Sequence, residues 1–168
     1  MVSMQPITQS YLDEPSSCFA GPQVRPYNKG SVMDVLMRES PLMAYVAQVA
    51  RLDHDLDDPG FKGTCFAPCK EYCTRYWNTF QGNLDHLIAR QIILSSCLRV
   101  QMREQDLYAE ATIFPSLHRY SNIFIRKNKT ECQGWINGNL SIVKADQQCT
   151  NGMIHFINGM IDPEIRDA

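Results

Sequence analysis

Cys149 and His155 carry the side chains best suited to chemistry, a potential thiolate and a potential general base. A Cys–His nucleophile needs the two within hydrogen-bonding reach and a third group to orient the imidazole. Asn151 and Asp146 are available as that third group. Residues of one strand and its preceding loop rarely converge this way, so a Cys–His hydrolase is the weakest reading of the chain. Cys65, Cys69 and Cys73 offer a second chemistry. Cys69 and Cys73, at i and i+4, could share a helix face and hold zinc with two further ligands. No second cysteine pair at zinc-like spacing and no nearby histidine completes such a set, so no metal is expected. The run Asp53-His54-Asp55-Leu56-Asp57-Asp58 could attract calcium. It lacks the Gly-punctuated loop and terminal Glu of a calcium register and reads as a solvated loop at a helix end. No Gly-rich phosphate loop or paired-carboxylate signature occurs elsewhere. No enzyme activity, cofactor or small-molecule substrate is expected.

The totals narrow the partner. The 168 residues suffice for one domain and an appendage. A net charge of −2 recommends neither nucleic acid nor an anionic membrane. No run reaches the length of a membrane span, so membrane insertion is not expected. Met1-Val2-Ser3-Met4-Gln5-Pro6 has no basic or apolar region and reads as a translated start without a secretory signal. Seven cysteines, odd in number and irregular in spacing, read as mostly reduced thiols in a cytosolic setting.

The positioning elements follow from pattern. In residues 1–30, Pro6, Pro15, Pro22 and Pro26, with Gly21 and Gly30, exclude a long helix. The apolar Tyr11, Leu12, Phe19, Val24 and Tyr27 make this an extended arm that wraps its own domain or clasps a neighbour. Tyr11, Leu12, Phe19 and Tyr27 are its candidate partner contacts. A single domain, residues 31–168, opens at Ser31, the N-cap of a helix over Val32–Arg38. Ser40-Pro41 marks a second helix start, with Leu42, Tyr45, Val46, Val49 and Leu52 toward the core. A short strand over Thr64–Phe66, a break at Pro68 and a helix over Cys69–Phe80 come next. Leu84 to Leu94 reads as a helix passing into an extended segment. The signal is poor between Val100 and Phe114, where polar residues dominate. Ile113–Pro115 and Asn122–Arg126 read as strands, with Ile123 and Ile125 on one face and Phe124 on the other. Trp135-Ile136, the turn Asn137-Gly138 and Leu140–Val143 form a hairpin. Asn128-Lys129-Thr130 and Asn139-Leu140-Ser141 are glycosylation sequons that matter only in the secretory pathway. Last, Met153 to Ile161 carries a strand pattern, with Asn158-Gly159 as turn or bulge chemistry within it, and so little polarity that burial on both faces is expected.

Two of these segments carry a family resemblance. Thr150 to Pro163 resembles the second signature motif of the fasciclin (FAS1) domain, with Thr150, Asn151, Gly152, Ile154, His155, Ile157 and Pro163 in agreement. Thr64, Phe66, Ala67, Pro68 and Glu71 agree with the first signature, while Cys69 replaces a capping Thr and Cys73 a core Phe. The resemblance spans about residues 31–164. It implies an α+β fold, a β-sandwich wedge flanked by several helices, and a structural, hydrogen-bonded role for the histidine. It also implies protein–protein contact, usually extracellular adhesion. Arg90-Gln91 stands where adhesive members have Tyr-His, and Leu94 where they have Pro. In Lys144-Ala145-Asp146-Gln147-Gln148 only Asp146 matches a second proposed adhesive determinant. With no secretory signal, these departures favour a structural module binding other proteins of an assembly, in a virion or the cytoplasm. FAS1-like genes occur in large DNA viruses, so a minor capsid protein fits. The alternative is an adhesion protein exported unconventionally.

Overall fold

The computed structural model describes residues 21–80, 84–109, 113–127 and 134–161. The helices in chain order are α1 (Val32–Glu39), α2 (Pro41–Val49), α3 (Asp53–Asp57), α4 (Lys70–Phe80), α5 (His86–Ser95) and α6 (Glu104–Ala109). The strands are β1 (Gly63–Pro68), β2 (Cys97–Leu98), β3 (Ile113–Pro115), β4 (Asn122–Lys127), β5 (Gly134–Ile136), β6 (Leu140–Cys149) and β7 (Gly152–Ile157). They form one mixed sheet in the order β2-β1-β7-β6-β5-β4-β3. The fold is α+β, as expected.

The two motif segments lie side by side at its centre. β1 and β7 pair in parallel, with Cys65 opposite Ile154, Phe66 opposite His155 and Ala67 opposite Phe156. Every residue of both strands is buried, which explains why neither shows polar alternation. On one face Cys65, Ala67, Ile154 and Phe156 join a core with α1, α2 and α5, including Met33, Leu36, Leu42 and Ile93. On the other, Phe66 and Ile157 pack with Leu107, Phe114, Ile123, Ile125 and Ile136. Strands β3–β5 therefore lie across β1 and β7 with a second core between them, which makes the wedge. Two register shifts in β6, between Ile142 and Gln147, let one long strand serve both halves. A bridge between Leu98 and Ser116 brings the ends of the strand order together.

Local chemistry matches much of the pattern. Ser31 caps α1 by accepting the Asp34 N–H at 3.1 Å. Asn137 and Gly138, with φ of 52° and 83°, make the tight turn between β5 and β6. Ile123 and Ile125 are buried while Phe124 is exposed. The Ser40 side chain does not cap α2; its hydroxyl donates to the Pro68 carbonyl at 2.6 Å. The extended end expected after Leu84 is not formed, since α5 stays helical through Ser95. Elements α3, β2, α6 and the far half of β6 have no counterpart in the sequence pattern. α6 forms where the sequence signal was poor, anchored by the fully buried Leu107. β6 runs on to Cys149 through residues too polar to announce a strand.

Candidate functional site

His155 is completely buried, and both its ring nitrogens are engaged by backbone. Nε2 donates to the Met102 carbonyl at 2.8 Å, and Nδ1 accepts the Asp146 N–H at 3.0 Å. That pattern fixes the neutral Nε2–H tautomer. Burial pushes the imidazole below its usual range, against the opposing pull of the Met102 carbonyl and the Asp146 and Glu104 carboxylates. The Asp146 carboxylate lies 3.9 Å from Nδ1, but no ion pair exists while that nitrogen is an acceptor. Instead the carboxylate accepts the Glu104 N–H at 2.8 Å, at the start of α6. Asp146 has φ of 59°, so the bulge in β6 aims its N–H and carboxylate at different partners. The Phe66 ring, 5.6 Å away between centroids, covers the imidazole.

Cys149 takes no part. Its thiol donates to the Gln147 carbonyl at 3.7 Å. Burial raises the thiol to about 11, with Arg38 working against the rise and Asp34 adding to it. A protonated thiol facing away from a histidine with no free nitrogen is not a nucleophile–base pair. The Cys–His arrangement considered from sequence is not formed.

The remaining motif residues are also joints. Asn151 accepts the Val32 N–H at 2.7 Å and donates to the Leu56 and Asp58 carbonyls, each at 2.8 Å. Thr64 donates to the Val100 carbonyl at 2.6 Å and accepts the Met102 N–H at 2.8 Å. Thr64 and His155 thus hold the same strap, residues 100–102, onto the sheet. Thr150 donates its N–H to the Gly30 carbonyl at 2.9 Å. Gly63 and Gly152 sit where backbones touch: a Cβ on Gly152 would come 2.7 Å from the Gly63 carbonyl oxygen. Ile154, Ile157, Phe66 and Ala67 are core. Glu71 is exposed and accepts from the Cys69 thiol at 3.6 Å. Pro163 lies outside the described residues.

The acidic run is not a solvated loop. It folds as α3, and its carboxylates receive the end of the N-terminal arm. Asp53, buried, accepts from the Tyr27 hydroxyl at 2.7 Å. Asp57 accepts from the Asn28 N–H at 2.8 Å and the Ser31 hydroxyl at 2.6 Å. Tyr27, named from sequence as a candidate partner contact, therefore packs within its own chain. Tyr11, Leu12 and Phe19 lie outside the described residues, as do Cys18, Cys132 and Asn128. Among the described residues no group of three or more His, Cys, Asp or Glu side chains is placed to hold a metal.

Among the apolar side chains that project outward, two share a sheet face. Ile113 and Phe124 stand opposite one another across β3 and β4 and are 49% and 52% exposed. Pro115 continues this face along β3. Arg126, exposed, lies opposite the half-buried Trp135 across β4 and β5. Aromatic and arginine side chains on a shared surface are the types that dominate protein interfaces.

The motif side chains of this helix-flanked wedge are taken up by internal bonds. The fasciclin domain model matches residues 40–163, and the chain belongs to that family. Such domains are generally adhesion or protein-interaction modules and are typically non-enzymatic. Among solved structures the chain is similar to a FAS1 domain pair from the insect cell adhesion molecule Fasciclin I. The two share 18% identity with a TM-score of 0.62, over 80% of this chain and 51% of that one. The likeness is one of fold, and the chain spans about half the length of that structure. No curated protein matches the sequence. No helix among the described residues is long and apolar enough to cross a membrane.

Proposed function

We propose that the protein is a non-enzymatic contact module working in an adhesive, extracellular or cell-surface setting, and that the outer face of β3–β5 is its contact surface. Membership of the fasciclin family over residues 40–163 carries this reading. The exposed Ile113 and Phe124 supply apolar contact, and Arg126 beside them supplies positive charge. The complementary partner is a protein surface with apolar side chains flanked by carboxylates. Arg90-Gln91 and Lys144–Gln148, where the resemblance puts adhesive determinants, have changed in type. Asp146, the residue that still matches, is spent on His155 and α6. The sheet face, with exposed apolar side chains facing one another across two strands beside an arginine, supports a binding role there. A place in a virion gains nothing from the family match or from the adhesion-molecule structure, so the adhesive reading replaces it.

Cell attachment to wells coated with the full chain tests the reading. The parent chain is expected to hold cells and Phe124→Asp to lose attachment at least tenfold at an unchanged melting temperature. Equal attachment by both, or none by the parent chain, overturns it.

A further inference from the structure

β2 is only two residues long and forms the edge of the sheet beside β1, yet it positions a cysteine directly opposite another. Cys65 and Cys97 are register partners in this antiparallel pair, and their sulfurs lie 3.0 Å apart. The Phe66 N–H donates to the Ser96 carbonyl, one residue outside the Cys65–Cys97 pair, which makes it a non-hydrogen-bonded pair. In such a pair the Cα atoms approach to about 4.5 Å and the side chains lie closest. Disulfides span Cα separations of about 4.4 to 6.8 Å, a range that includes the approach typical of such pairs. Both residues are buried, at 1% and 0% exposure, and among the described residues neither belongs to a group placed to hold a metal.

We infer that Cys65 and Cys97 are joined by a disulfide bond in the working protein, stapling the edge strand β2 to the central strand β1. The bond closes a loop of sequence separation 32 that contains α4 and α5. The oxidant is a low-molecular-weight disulfide such as oxidised glutathione. One cysteine thiolate attacks a sulfur of that disulfide, releasing one small thiolate and leaving a mixed disulfide. The second cysteine thiolate then attacks the protein sulfur of the mixed disulfide and expels the other small thiolate. The two cysteines lose two protons and two electrons, and the small disulfide is reduced to two thiols. Once the strands are paired, the bond to Cys97 and then burial hold the Cys65 thiol well above its usual range. Thiolate is then scarce, so exchange belongs to folding, before β2 docks, and to the opened chain at the melting transition, where dithiothreitol reaches the bond. The pair is accordingly a structural staple and not an exposed redox switch.

The test uses the full chain, refolded in a mixture of oxidised and reduced glutathione. Remaining thiols are blocked with iodoacetamide under denaturing conditions, and the chain is digested without reductant for mass spectrometry. The expected product is a Cys65 peptide linked to a Cys97 peptide, with Cys69, Cys73 and Cys149 alkylated. Dithiothreitol is expected to lower the melting temperature of the refolded protein by roughly 10 °C, from loop entropy restored to the unfolded chain. Cys149→Ala is expected to keep both the linked peptide and the dithiothreitol-sensitive melting. Alkylation of both Cys65 and Cys97, linkage of either to another cysteine, or melting indifferent to dithiothreitol overturns the inference.

Discussion

The side-chain oxygen of Asn151 accepts the backbone N–H of Val32 at 2.7 Å, joining the start of α1 to the turn before β7 across 119 residues. Its amide nitrogen holds the carbonyls of Leu56 and Asp58 at the same time. One carboxamide thus satisfies three backbone groups from two separate segments. Asn151→Ala strands all three and is expected to cost about 3 kcal/mol, read from urea midpoints. A loss below about 1 kcal/mol would show that water replaces the side chain and that the joint is incidental.

His155 makes stability depend on pH in a defined direction. Burial lowers its pKa in the fold below the 6.5 of the free side chain, so the unfolded chain binds the proton more readily. The contribution is full above about pH 6.5 and is lost as pH falls from there toward the folded value. Urea midpoints between pH 7 and 5 are expected to fall more steeply for the parent chain than for His155→Ala. The other histidines are present in both, so the difference in slope belongs to His155. Equal slopes, or a gain in stability on acidification, would mean the imidazole is charged in the fold.

Gly63 is required for space. A Cβ there would lie 2.5 Å from the Leu98 carbonyl oxygen and 2.7 Å from Cζ of Phe61. Gly138, with φ of +83°, has nothing within 4 Å of its Cβ position, so alanine there meets backbone strain alone. Gly63→Ala is expected to destabilise by at least about 2 kcal/mol and Gly138→Ala by about 1. Thermal melts that reverse this order would place β1 and β2 farther apart.

β7 was legible as a buried strand because burial on both faces leaves almost no polarity in it: Met153, Ile154, Phe156 and Ile157 surround the lone His155. The Asn137-Gly138 turn was legible because primed turns demand those residues. α6 was not: its single buried anchor, Leu107, sets no period, and its start is fixed by the Asp146 carboxylate from a distant strand. Nor was the use of the acidic run, since Asp53 and Asp57 find their partners only once the arm lies against α3. The Cys65–Cys97 approach was hidden because two residues of β2 are too few to predict a register. For His155 the motif indicated burial and bonding, but its Met102 and Asp146 partners are backbone groups that no side-chain pattern reveals.

Asp57 is the anchor of the arm. Asp57→Ala removes the acceptor for the Asn28 N–H and the Ser31 hydroxyl, and is expected to cost about 1–2 kcal/mol. It should also quicken proteolysis within residues 21–30. The Tyr27 hydroxyl reports the same docking: burial pushes it up to about 12, the Gln48 bond lowers it and Asp53 raises it. Its stabilising contribution is full below pH 10 and declines as pH rises toward 12. Ultraviolet titration of Asp57→Ala is expected to show that phenol ionising earlier than in the parent chain. Unchanged proteolysis and titration would mean the arm is held elsewhere.

Residues that build the fold are distinct from those proposed to meet a partner, and attachment per folded molecule measures that separation directly. Phe124→Asp, an exposed change, is expected to melt with the parent chain yet lose attachment at least tenfold. His155→Ala is expected to attach in proportion to its folded fraction. Full attachment by Phe124→Asp, with folded His155→Ala unable to attach, would contradict the account and move function to the buried histidine.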